Sequence, residues 1–483
     1  MSLQPLASRT HRRTPRHHDD TPVEGILTDE QLRTARVRPV GGGLPAVVAP
    51  GLVPTVDGRL VDYAPLDHAA STPAFERVAR AVDAVTATYS SVHRGTGWLS
   101  RVTSAHYEAA REEVGRFVGA RPDDVVVLTR NTTDAVTLLA RCLPAGTPVV
   151  VLESEHHASL LPWAAADVHR VPVPRHLYDA LASVEAALAG LDPRRTGGPQ
   201  PLLVVSGASN VTGELWPLTR LVGLARRHGA RVLIDAAQLL AHRSLDLESL
   251  GADWVAFSGH KLHAPYGTGA LVGRRDVLDA AEPYLPGGGA SAAVTHDGTR
   301  WATGAARHEG GTPNVVGAVA LAAACATLRE HRREVEEHEA ALTARLVDGL
   351  RGIPGVRTYS LLGEDLERAP VVTFTIDGLD SGLVAAALSA EHGIGVRAGK
   401  FCAHLLVDAL LRDEAAATGR TEAPTTAVRA SAGIATTLAH VDRLVTAVAA
   451  LAGSGPAVRY VHDDARGWLA EEDPRDPVVP LPW

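Results

Sequence analysis

Five short, continuously apolar runs, each closed by a polar cluster, limit what this chain can fold into. They are DDVVVLTR from Asp123, PVVVLES from Pro148, PLLVVSGAS from Pro201, RVLIDAAQ from Arg231 and DWVAFSG from Asp253. Runs of this length, rich in β-branched residues and without polar alternation, read as strands buried on both faces. Helical patterns lie between several of them. In LTRLVGLARRHG, Leu218, Leu221, Val222 and Ala225 share one face, and Gly229 supplies a stop. Doubly covered strands alternating with amphipathic helices predict an α/β domain around a mostly parallel sheet.

The flanking sequence sets the expected boundaries. Residues 1–60 are rich in Pro, Gly, Arg and His and only weakly periodic, which predicts an extended, partly disordered arm. A large domain then spans 61–328. A helical stretch from Val315 to about Gly352 leads into a smaller α+β domain over 329–453, with the strand-like VVTFTI and GIGVRAG and the helices SGLVAAALSAEHG and HVDRLVTAVAALAG. The proline-rich residues 454–483 read as an irregular tail.

Several function classes are disfavoured. The net charge of −8 is spread along the chain, so no nucleic-acid groove is expected. No window approaches the roughly 20 apolar residues of a membrane span. The basic start, MSLQPLASRTHRRTPRHHDD, is followed by no apolar stretch, so it is not read as a secretory signal. Cys142, Cys325 and Cys402 share no metal-ligand spacing, which predicts no metal site, no disulfide framework and a reducing, cytoplasmic setting.

In open α/β sheets, ligands bind beyond the carboxyl ends of the strands. Thr132 and Thr133 follow the first run, His156 the second and Asn210 the third. Asp235 and Gln238 close the fourth, and Ser258, His260 and Lys261 follow the fifth. Singly, each has a structural explanation: Thr132 as a helix cap, Asn210 in a turn, His156 on the surface. Together they match one ligand type. A helix start accepts a phosphate, a carboxylate pairs with a protonated ring nitrogen, an imidazole stacks on a flat ring, and a lysine forms a Schiff base with an aldehyde. Pyridoxal 5'-phosphate combines all four features.

At this point the chain resembles the class V aminotransferase superfamily, of PLP fold type I, and within it the branch of cysteine desulfurases and selenocysteine lyases. The likeness runs from about Asp67 to about Leu444. It is carried in order by VHRGTGWLS, RNTTDAV, EHHASLLPW, SNVTG, IDAAQ, SGHKLHAP, GGG, EGGTPN, GVRAGKFCA and VRAS. The resemblance implies a large domain on a seven-stranded, mostly parallel sheet plus a smaller α+β domain. It implies Lys261 as the Schiff-base lysine, Asp235 on the pyridine nitrogen, and Gln238 with Asn210 on the ring oxygen. His156 would stack on the ring and move protons. Thr133, Ser258 and His260 would hold the phosphate, with Thr132 beside them, and Thr312 would reach the phosphate of a neighbouring subunit, so a homodimer is expected. Arg429 would grip the substrate carboxylate, a task a bidentate guanidinium suits better than lysine. His93 and Arg94 would help position substrate.

The reaction turns on Cys402. The resemblance implies that this thiol attacks the sulfur or selenium of cysteine or selenocysteine, leaving alanine and a persulfide to pass to an acceptor protein. Arg397 and Lys400 are near in sequence, and a nearby cation favours the reactive thiolate. Cys142 and Cys325 read as buried small hydrophobes. The chain departs from the family pattern at Lys400 and Phe401, which stand where histidines are usual, at Leu405 in place of a proline, and in an apparent insertion over about 412–427. Two other readings stay open. One is a different class V reaction, such as transamination, epimerisation or carbon–sulfur lysis, that does not use the thiol. The other is a non-catalytic binding protein without the cofactor.

Overall fold

The structure, a computed structural model, describes residues 36–38, 43–49, 51–363 and 366–475. The five predicted runs all form strands: β1 (Val125–Thr129), β2 (Pro148–Leu152), then β4 (Leu202–Ser206), β5 (Arg231–Asp235) and β6 (Trp254–Ser258). Two more join them, β3 (Asp167–Val171) and β7 (Gly269–Gly273). They make one seven-stranded sheet in the order β1-β7-β6-β5-β4-β2-β3. Only β7 runs against its neighbours, so the carboxyl ends of β1, β2, β4, β5 and β6 open on one rim. Every residue of β2, β4, β6 and β7 is buried, which explains their lack of polar alternation.

Helices cover both faces. Helix α1 (Thr132–Cys142) rises directly from the end of β1, and α2 (Leu218–Arg227) buries Leu221, Val222 and Ala225 as its pattern predicts. The helical stretch after Val315 is two helices, α3 (Val315–Glu330) and α4 (Arg332–Arg351), with non-helical backbone at His331 between them. Helix α4 carries Leu342, Leu346 and Leu350 into a second core. That core surrounds an antiparallel sheet of β8 (Val356–Thr358), β9 (Val371–Ile376), β10 (Arg397–Gly399) and β11 (Ala427–Ser431), in the order β8-β9-β11-β10. Helices α5 (Ser381–His392), α6 (His404–Ala417) and α7 (Leu438–Ser454) complete the unit.

Two expectations about the periphery change. Within the proposed arm, Arg36–Arg38 pair with Val47–Ala49 and Leu52–Pro54 with Leu60–Asp62, and Val47 is buried in the main core. Short strands joined by Pro and Gly lack the periodicity that reveals longer ones. The remaining residues up to 35 lie outside those described. The tail is also not irregular throughout: β12 (Tyr460–Asp463) and β13 (Gly467–Ala470) form a hairpin. Trp468 Nε1 donates to Asp380 at 2.8 Å and the Tyr460 hydroxyl donates to Glu391 at 3.0 Å, which fastens the hairpin to α5. The 412–427 stretch completes α6 and returns through a turn, where Arg420 pairs with Asp377 at 2.6 Å.

Candidate active site

The rim of the large sheet meets the small sheet around a cavity of about 250 Å³. Its lining includes Thr132, Thr133, His156, Asn210, Asp235, Gln238, Ser258, His260, Lys261, Arg397, Cys402 and Arg429. Most of the predicted site is thus brought together from positions spread over some 300 residues of sequence.

Each side chain is fixed by its element. Asp235 is the last residue of β5, 4% exposed; its Oδ2 accepts from the Ser159 hydroxyl at 2.7 Å and its Oδ1 from the Ala237 N–H at 3.0 Å. Lys261 ends a single 3₁₀ turn that leaves β6. It is half-buried by exposed area, yet the protein encloses its amine closely enough that burial dominates and lowers its pKa to about 8. The Asp235 charge acts the other way, and Arg429 adds to the lowering. His156 caps the short helix His157–Leu160, its Nδ1 accepting from the Ala158 N–H at 3.0 Å. Burial and then the Lys261 charge lower its pKa to about 4, so at neutral pH the ring is uncharged with its proton on Nε2. At the start of α1, Asn131 rather than Thr132 is the cap; the Thr132 N–H donates to Ser258 Oγ at 2.7 Å, which ties the helix start to the end of β6.

The small sheet supplies two guanidiniums. Arg397 on β10 and Arg429 on β11 are direct cross-strand partners. Like charges in that register repel, and Asp67 offsets them: it accepts from Arg429 Nη2 at 2.9 Å and lies 3.9 Å from Arg397 Nη1. Arg429 also donates to the Asn210 carbonyl at 2.9 Å, and its guanidinium lies 5.0 Å from the Phe401 ring centre.

Cys402 is exposed and lines the cavity. It and Phe401 both have left-handed backbone, with φ of 55° and 52°. Such conformations are costly for residues with a Cβ and persist when neighbours hold them. Here the Phe401 carbonyl accepts from Asn210 Nδ2 and the Cys402 carbonyl from the His157 N–H, each at 2.8 Å. Asn210, expected on the cofactor ring, therefore also holds the cysteine loop. Lys400 pairs with Asp408 at 2.7 Å. Cys142 and Cys325 are buried as expected, and burial pushes the Cys142 thiol up to about 12. His263 is structural: it stacks on Phe75 at 4.2 Å and bonds the Pro73 carbonyl.

Three predicted residues are not in this cavity. Thr312 lines a different one with Tyr284 and Leu285, and His93 and Arg94 line a third with Arg111 and Glu309. Sequence reasoning in turn missed Asp67, Ser159 and Phe401 as site residues. Asp67 had a signal, since DHAAS opens the matching region, but the role of a carboxylate between two distant arginines is visible only in three dimensions.

The cavity suits pyridoxal 5'-phosphate by its donor set. A buried carboxylate, an uncharged imidazole, a hydroxyl-tied helix start and a lysine of lowered pKa converge, and the Gln238 side-chain amide at the wall has one end without a hydrogen-bond partner. Comparison with known proteins agrees. The family model "Aminotransferase class-V" matches residues 64–444. The chain is 33% identical over 404 residues to a cysteine desulfurase of Klebsiella pneumoniae, covering 81% of this chain and 93% of that one. Among solved structures, the apo cysteine desulfurase of Thermococcus onnurineus superposes with a TM-score of 0.72 at 29% identity, over 81% of this chain and 95% of that one. A cysteine desulfurase of Escherichia coli gives a TM-score of 0.66 at 31% identity, over 80% and 94%. The chain belongs to the class V aminotransferase family of PLP-dependent enzymes, in its cysteine desulfurase branch.

Proposed function

We propose that the protein removes sulfur from cysteine, or selenium from selenocysteine, releasing alanine and leaving the chalcogen on Cys402. The observation that carries this reading is the placement of Lys261, Arg429 and Cys402 on one small cavity.

Bound pyridoxal phosphate supplies an electron sink for the bonds at the substrate's Cα. The protein does the rest. Asp235, oriented by Ser159, holds the proton on the ring nitrogen. Arg429 grips the substrate carboxylate, with Arg397 beside it. The Lys261 amine moves the Cα proton, a task suited to a group whose pKa is near 8. The Cys402 thiolate then bonds to the substrate sulfur as the carbon–sulfur bond breaks. The electron pair of that bond stays with carbon, which takes a proton to become the methyl group of alanine. Exposure of Cys402 supports onward transfer to the thiol of an acceptor protein.

A homodimer fits the same reading. Thr312, His93 and Arg94 are exposed and outside the cavity, and Thr312 shares its own cavity with half-exposed Leu285. A second copy covering these residues would bring Thr312 to the partner's phosphate. Three free thiols support a reducing cytoplasm.

Replacing Cys402 with serine tests the assignment. The expected result is alanine formation from cysteine reduced by about 10³-fold with the cofactor's visible absorbance unchanged. Undiminished turnover of another amino acid by the variant would favour transamination, epimerisation or carbon–sulfur lysis instead.

A further inference from the structure

From Gln238 on the cavity wall, three buried side chains form a connected series, and the site described above leaves the other two members unused. Gln238 Nε2 lies 2.9 Å from His242 Nε2, and His242 Nδ1 lies 3.0 Å from both carboxylate oxygens of Glu339 on α4. The three are 4%, 3% and 1% exposed. Two proton arrangements fit these contacts. With one proton on the His242–Glu339 pair, at Nδ1, His242 Nε2 accepts from the Gln238 amide, and the unpartnered Oε1 is the end left for the cavity. With two, His242 Nε2 donates to Gln238 Oε1, and the amide NH₂ is turned to the cavity instead. The ring oxygen of pyridoxal phosphate is anionic when joined to a lysine. It needs a donor, and an amide oxygen would repel it.

We propose that Glu339 and His242 are positioning residues that hold the Gln238 amide with its NH₂ toward the cofactor's ring oxygen. Glu339 balances the second proton of the pair. The neighbouring cationic groups oppose that second proton, and Glu339 is the carboxylate that offsets them. Arg243 Nη1 lies 3.9 Å from Glu339 Oε2, Arg332 donates to the Leu240 and Ala241 carbonyls, and His68 and His263 face His242 electrostatically. Among the described residues, Glu339 is the one carboxylate within ion-pair distance of His242. The inference rests on the cofactor and not on the substrate, so it can fail while the desulfurase reading stands.

The test is a pH titration of the holoenzyme's visible absorbance, with the apoenzyme's affinity for pyridoxal phosphate as a second readout. E339Q, whose amide can donate to His242 Nδ1, keeps Nε2 as the donor and keeps the midpoint near the wild type, whereas H242L/E339L removes both partners together and leaves no donor held toward the ring oxygen. The proton shared by the ring oxygen and the Lys261 nitrogen is then held more tightly, so the midpoint rises by about one pH unit, or tenfold in proton affinity. Cofactor affinity falls by about tenfold. The double variant H242Q/E339Q, whose neutral amide at position 242 can donate to Oε1, returns the midpoint toward the wild type. A midpoint unchanged in H242L/E339L, a lower melting temperature with an unchanged spectrum, or a shift that H242Q/E339Q leaves in place would each overturn the proposal.

Discussion

Lys261 and Cys402 line the same cavity, but the chain holds them by different means. Lys261 follows a strand whose five residues are all buried, so its place is set by the register of the large sheet. Cys402 lies on a loop with left-handed backbone at two residues that carry side chains, held by one hydrogen bond from Asn210 and one from His157. The cofactor side is fixed by packing, and the thiol side by a few directional contacts. Substitutions should therefore act on the two sides separately.

The largest separation is expected from Lys261→Ala. Alanine formation should fall by more than about 10⁴-fold and the lysine-linked visible absorbance should vanish, whereas Cys402→Ser should keep that absorbance. Retained absorbance in the lysine variant would break the comparison. Asn210→Ala sharpens it: losing one buried hydrogen bond to the loop should lower alanine formation by about tenfold with an unshifted spectrum. A shifted spectrum would assign Asn210 mainly to the ring.

The pH dependence of cofactor capture isolates the lysine side. Burial lowers the Lys261 pKa to about 8, so the free amine is the minority form below that pH and the majority form above it. Capture of pyridoxal phosphate by the apoenzyme should thus rise about tenfold between pH 7 and the plateau above pH 8. A midpoint near 10 would mean an amine that the fold leaves unchanged. The smallest effect is expected at Lys400. Its ion pair with Asp408 is partly exposed on both sides, so Lys400→Ala should cost less than about 1 kcal/mol in stability, measured by denaturant titration.

The same contrast explains how much could be read from the sequence. Asp235, Lys261 and their neighbours were legible because continuous apolar runs fix where strands end, and the strand ends share one rim. Asp67 escaped notice because its partner Arg429 is 362 residues away, and only strand pairing shows two arginines that need a carboxylate between them. Nothing local marks Phe401 and Cys402 as left-handed, since neither is glycine or asparagine and the holding groups come from other loops. The β12–β13 hairpin was hidden by proline-rich flanks, although Tyr460 and Trp468 are the anchoring aromatics a strand pair would be expected to carry.

The most direct test is to find where the sulfur goes. Holoenzyme incubated with cysteine, quenched by alkylation without reductant and digested should show one additional sulfur atom on the peptide containing Cys402, and none on those containing Cys142 or Cys325. Alanine released while the Cys402 peptide gains no sulfur, or sulfur found instead on one of the buried thiols, would contradict the account.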